Sequence, residues 1–122
     1  MVVYSDLPAG PLPAREVDRI FRALADATRR DIVECVLLGE QSVSALADRY
    51  AMSFAAVQKH VAVLERAGLV TKQARGRARL VRGDLHAIRR VRSLLDRYED
   101  LFRARIDRLD ALLANPEPAT ED

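Results

Sequence analysis

Residues 53–82, SFAAVQKHVAVLERAGLVTKQARGRARLVR, decide the fold of this chain. Ser53 is a residue type that opens helices, and Val57, Val61 and Leu64 recur at helical spacing behind it. Gln58 and Lys59 fall on the opposite face, toward solvent or a partner. Ala67-Gly68 ends the helix, glycine being the residue that accepts the left-handed conformation just past a helix end. Leu69-Val70-Thr71 and Leu80-Val81 then read as two short strands, with Gly76 at the tip of the hairpin between them. Arg75, Arg77 and Arg79 arm that hairpin. Alternation with Ala78 and Leu80 predicts that the arginines lie on one side and the apolar residues on the core side.

Charge is concentrated on the same stretch. The chain of 122 residues carries a net charge of only +2. Yet residues 53–92 hold ten Lys and Arg against Glu65 and Asp84, while the remainder holds ten basic and sixteen acidic residues. A helix showing Gln and Lys, beside an arginine-rich hairpin in a strongly positive segment, is an electrostatic footprint for phosphates. The expected partner is double-stranded DNA, with the helix in the major groove and the hairpin tip on the backbone or minor groove. Phe54, Ala55, Gln58 and Lys59 are the residues placed to meet base edges or nearby phosphates. Glutamine suits adenine N6/N7, lysine suits guanine O6/N7, and Ala55 or Phe54 suits a thymine methyl. Ser53 caps the helix and can also bond a phosphate. His60 shares the apolar face and reads as a packed, hydrogen-bonded histidine.

The flanking sequence supplies a scaffold. A loose arm is expected over 1–14, where Pro8, Pro11, Pro13 and Gly10 cluster. A helix at about 15–25 groups Val17, Ile20, Phe21 and Leu24. Asp26 caps a second helix that buries Ile32, Val33, Val36 and Leu37, with Cys35 as a small buried apolar group, and stops at Gly39. Ser42-Val43 is a short extended piece, and Ser44 caps a third helix that buries Leu46 and Ala47. The turn Met52-Ser53 then leads into the reading helix, which is the spacing of a helix-turn-helix. Arg29 and Arg30 are assigned to backbone carbonyls or acids and not to DNA.

Asp84 caps a last helix running to about Ala114, ahead of Pro116 and an acidic tail over 116–122. Ile88, Val91, Leu95, Tyr98, Phe102, Leu109 and Leu112 fall three and four apart along it, and only Arg105 breaks the series. Leu94, Leu101, Ile106 and Leu113 widen the stripe. Such a helix is ~45 Å long, more than a domain this small covers alone, so the seam is expected to pair with a second copy. A break near Arg97 with the remainder folding back is the alternative. The predicted class is mainly α with a small β-hairpin: a winged helix-turn-helix over 15–115 with a long C-terminal dimerisation helix.

With these elements in place, the chain resembles the ArsR/SmtB family of bacterial winged-helix repressors. The resemblance rests on LADATRRDIVECVLLGE (24–40), SVSALADRYAMSFAAVQKHVAVLERAGLV (42–70) and RGRARLVR (75–82). It implies a homodimeric repressor on an inverted-repeat operator, paired through the first and last helices, which on this chain puts Ile20 with Leu95, Tyr98, Phe102 and Leu109 in the interface. It also calls for a test of the family's metal sites. The thiolate site needs cysteines where this chain has Ser42, Val43, Ser44 and Ala45. The last-helix site needs an Asp-x-His pair, met by Asp84 and His86, and a later histidine pair, where this chain has Arg97-x-x-Asp100. Arginine cannot ligate. The chain is similar to members lacking the metal site, so no metal and no cofactor is expected, and the effector is left open. The alternatives are a metal-responsive repressor using a degenerate last-helix site, or a winged helix serving only protein–protein contact.

Other classes find little support. One cysteine precludes an intrachain disulfide. There is no Gly-rich phosphate loop, no metal-protease pair and no nucleophile with an evident base, so an enzyme is not expected. No apolar run reaches membrane-spanning length, and the first residues lack the pattern of a signal peptide. The expected location is cytoplasmic.

Overall fold

The structure, a computed structural model, describes residues 13–114. The acidic tail expected over 116–122 lies outside the described residues, as does the expected arm except for Pro13 and Ala14. The elements in chain order are α1 (Ala14–Leu24), α2 (Ala27–Leu38), β1 (Gln41–Ser42), α3 (Val43–Tyr50), α4 (Phe54–Arg66), β2 (Val70–Arg75), β3 (Ala78–Gly83) and α5 (Leu85–Ala114). The three strands form one antiparallel sheet in the order β1-β3-β2.

Four of the five helices described are opened by a side-chain cap; α1, which follows Pro13, has none. Asp26 accepts the backbone N–H of Arg29 at 3.0 Å and opens α2. Ser53 accepts that of Ala56 at 3.1 Å and opens α4. Asp84 accepts that of His86 at 2.9 Å and opens α5. The cap of α3 is Ser42, which accepts the N–H of Ala45 at 3.0 Å, and not Ser44. Val43 is the reason: it is completely buried as the first helical residue, so the helix begins before Ser44 and only Ser42 precedes it.

Arg29 and Arg30 tie α2 to the end of α1. Arg29 donates to the carbonyls of Ala23 (2.8 Å) and Arg22 (3.0 Å), and Arg30 to that of Leu24 (2.7 Å). These are carbonyls at the C-terminal end of α1, which lack partners inside the helix. A second tie joins α2 to α3. The Tyr50 hydroxyl donates to Asp31, and burial of the phenol, reinforced by that bond, pushes its pKa up to about 12.

The core gathers Ile32, Val36, Val43, Leu46, Val57, Val61, Leu64, Leu69, Val70 and Val81. Three expected core residues fall outside it. Phe21 and Leu37 are exposed, and Cys35 is half-buried. On α1 the inward positions are Ile20 and Ala23. With Ile20 and Ala23 turned inward, three residues apart on one side of the helix, Phe21 is left at the exposed edge of that side. Leu37 lies beyond the Ile32–Val36 stripe and covers Gly83 of the sheet instead.

The strands are longer than the apolar runs suggested because β2 and β3 pair along their whole length, from Val70 opposite Gly83 to Arg75 opposite Ala78; β1 adds a short third strand, setting Gln41 opposite Val81 and Ser42 opposite Leu80. At the hairpin tip only Gly76 has a positive φ, +62°, which suits a two-residue turn with glycine first.

Helix α5 is unbroken from Leu85 to Ala114, with no fold-back near Arg97. The chain divides into two compact units, one ending at Val91 and one beginning at Arg92. Ala87 and Val91 are buried in the first unit. In the second, Leu95, Tyr98, Leu101, Phe102, Ile106, Leu109, Leu112 and Leu113 are all exposed. Ile20, by contrast, is 3% exposed inside the protomer and has almost no surface left for a partner; the neighbouring Phe21 faces outward.

Candidate nucleic-acid interface

Three residues, Ala51-Met52-Ser53, separate α3 from α4. Ala51 adopts φ +52°, and the Met52 N–H returns to the carbonyl of Ala47 at 3.0 Å. That left-handed residue ends α3 sharply and turns the chain into α4. Val57, Val61 and Leu64 on α4 are fully buried. With that side fixed in the core, the opposite side carries Phe54, Ala55 and Lys59, all exposed, and Gln58, half-buried.

His60 pins the helix from behind. Its Nδ1 stands 3.5 Å from a terminal nitrogen of Arg29 and 3.9 Å from a carboxylate oxygen of Asp26. A guanidinium only donates, so the contact with Arg29 uses Nδ1 as acceptor. Arg29, which closes α1, thus also braces α4, with Asp26 lying beside the pair.

The hairpin does not sort its side chains as the alternation suggested. Residues directly opposite on antiparallel strands share a face. Val70, Lys72 and Ala74 therefore lie with Gly83, Val81 and Arg79, and this is the core face, since Val70 and Val81 are buried. Thr71, Gln73 and Arg75 lie with Arg82, Leu80 and Ala78 on the other face. Arg75 and Arg79 thus stand on opposite faces, and Ala78 and Leu80 accompany Arg75. The direction of β3 is set by Val81, which a count begun at the turn arginines misses.

The two faces also differ in charge. Glu40 lies 3.7 Å from both Arg75 and Arg82 and partly neutralises the outer face. Among the described residues, Arg77 at the turn and Arg79 on the core-side face have no acidic partner within salt-bridge distance. Glu40 and Lys72 were not singled out from sequence. Lys72 reaches across from β2 and donates to the side-chain oxygen of Gln58 on α4 at 3.3 Å.

Asp84 and His86 at the start of α5 line a groove that also receives Arg19, Arg66 and Arg90. Arg90 is paired there with Glu16. Among the described residues, no group of three or more His, Cys, Asp and Glu comes together, and no helix is long and apolar enough to cross a membrane.

Comparison with known proteins places this geometry. A helix-turn-helix domain family matches residues 24–73. The HTH-type transcriptional regulator Rv2034 of Mycobacterium tuberculosis is 39% identical over 84 residues, which span 69% of this chain and 78% of that relative. The ArsR-like transcriptional regulator from Rhodococcus sp. RHA1 has the same fold, with a TM-score of 0.74 at 28% identity, covering 84% of this chain and 94% of its own. The homodimeric winged helix-turn-helix DNA-binding domain Mb0332 from Mycobacterium bovis, a possible ArsR-family regulator, gives 0.59 at 25% identity over 71% of this chain and 81% of that one.

Proposed function

Since the chain belongs to the ArsR family of winged helix-turn-helix DNA-binding transcriptional regulators, we propose that it acts as a homodimeric repressor on an inverted-repeat operator, without a metal effector. One observation carries this reading. The outward side of α4 presents Phe54, Ala55, Gln58 and Lys59, and the adjoining hairpin presents Arg77 and Arg79 without acidic partners among the described residues. Ser53, Phe54, Ala55, Gln58 and Lys59 then face the major groove. Arg75, Arg77 and Arg79 serve the phosphates, Arg75 least because Glu40 competes for it.

Dimerisation is supported by the exposed apolar row Leu95, Tyr98, Phe102 and Leu109 on α5 and by the homodimeric Mycobacterium bovis relative. Phe21 is a better contributor from α1 than Ile20, whose side chain is spent on the protomer's own core. Two copies related by a two-fold axis address two half-sites about one helical turn of DNA, or a multiple of that, apart. Blocking a promoter in this way needs no further domain.

The groove at Asp84 and His86 favours the metal-independent reading. Glu16 is engaged with Arg90 there, and Arg19 and Arg66, which also border the groove, place positive charge that opposes a divalent cation. Residues 15–115 are taken as the functional body, with the N-terminal arm and the acidic tail as appendages. The test is footprinting of the purified protein on its own promoter region. Two protected half-sites related by a dyad are expected; a single unpaired half-site, or no protected sequence, overturns the reading.

A further inference from the structure

The contact between Lys72 and Gln58 bears on what the reading helix can recognise. Gln58 is the long amide on the outward side of α4, and its side-chain oxygen accepts from the Lys72 ammonium at 3.3 Å. An ammonium has only donors, so the amide atom that faces it must be the oxygen. The contact therefore orients the amide as well as engaging it. Lys72 is itself held in place: it lies on the core-side face of β2, directly opposite the fully buried Val81, so its stem leaves the strand toward α4. Both side chains are partly buried, which limits competition from water.

We infer that Lys72 is a specificity-determining residue that holds Gln58 as a hydrogen-bond donor, so that the helix reads a guanine at this position. The inference rests on the DNA-reading role proposed for α4. With its oxygen turned to Lys72, Gln58 offers its NH₂ group to the groove. In the major groove guanine presents two adjacent acceptors, N7 and O6. Adenine pairs an N7 acceptor with an N6 donor, and its bidentate glutamine contact needs the oxygen in the groove, from which Lys72 turns it away. Cytosine presents a donor, which a second donor cannot meet. A free glutamine in the same place would favour adenine, so the strand lysine changes the base read by a helix residue. Lys72 acts through Gln58 and is a positioning residue.

The experiment is selection of bound sequences from a randomised operator library by the full-length protein, followed by affinity measurements with guanine or adenine at the selected Gln58 position. The unaltered protein is expected to select guanine there. Lys72→Met keeps the stem and removes the donor, and should shift the guanine-to-adenine ratio toward adenine by about tenfold. Lys72→Arg retains a donor and should keep guanine. In a Gln58→Ala background the preference is lost, and Lys72→Met should produce no further change in base ratio. A selection that yields a clear dyad with adenine at this position overturns the inference while leaving the DNA-reading role intact. So does a Lys72→Met protein that loses affinity equally for all bases, since the lysine would then be only a phosphate contact. Failure to select any sequence overturns both.

Discussion

Replacing Phe102 by alanine tests the dimer through its most accessible aromatic anchor. Phe102 is 62% exposed in the protomer, and a phenylalanine side chain offers roughly 200 Å². About 120 Å² therefore stands open for burial, of which alanine removes on the order of 80 Å². At ~25 cal/mol per Å² this is about 2 kcal/mol per copy, or about 4 kcal/mol for the two copies related by symmetry. The dissociation constant of the dimer should rise about a thousandfold. The folded protomer should hardly notice, because Phe102 is not part of its core. Sedimentation velocity across a dilution series reads the shift toward monomer, circular dichroism confirms retained helix, and a gel-shift assay on the protected promoter should show affinity falling at the same protein concentrations. An unchanged dimer constant in the folded variant would refute the reasoning and move the interface to Phe21 and the first helix.

Other consequences can be checked separately. Gln58→Ala should cost about 1–3 kcal/mol of operator affinity and relax base preference, whereas Arg77→Ala should weaken specific and random DNA alike and flatten the salt slope by roughly one unit; equal loss of specificity in both would mean these roles are misassigned. In Gly83→Ala the new methyl carbon would meet Leu37 at 2.5 Å from Cδ2 and 3.1 Å from Cα. The exposed side chain can swing aside but the backbone cannot, so about 1–3 kcal/mol of stability should be lost in a urea melt; an unchanged midpoint would show that the α2–β3 contact yields freely. Tyr50 is held protonated in the fold up to about pH 12, against about 10 in the unfolded chain. The unfolded state thus releases its proton first, and this contribution to stability is complete below pH 10 and declines as pH rises from 10 through 12. Tyr50→Phe should flatten that decline, and denaturant melts across the window would show whether it does. Zinc or nickel titrated into the protein–DNA complex should leave the binding curve unmoved; release by micromolar zinc that His86→Ala abolishes would establish a metal site at Asp84 and His86.

Much of the scaffold is legible in sequence because its signals are local. Asp26, Ser53 and Asp84 each satisfy a helix start within three residues of themselves, and Gly68 and Gly76 mark positions of positive φ, +77° and +62°. The spacing of Val57, Val61 and Leu64 settles which side of α4 is buried, and with it that Lys59 points outward. The three-and-four spacing from Ile88 to Leu112 likewise announces one long helix with an apolar row. None of these needs knowledge of a distant residue.

What the tertiary structure alone decided lies where distant elements meet. Ser42 displaced Ser44 as a cap because Val43 is drawn into the core. Phe21 is left exposed because Ile20 and Ala23 take the inward side of α1. The hairpin took its facing from Val81, which β1 and the core hold from one side, so Arg75 and Arg79 parted company. The pairing of Glu40 with Arg75 and Arg82, and of Lys72 with Gln58, joins side chains 14 to 42 positions apart in sequence, which no local periodicity encodes. The physical reason is the same throughout: a helical or strand period states which residues share a side, but where both sides carry apolar and polar residues only burial against other elements states which side turns inward.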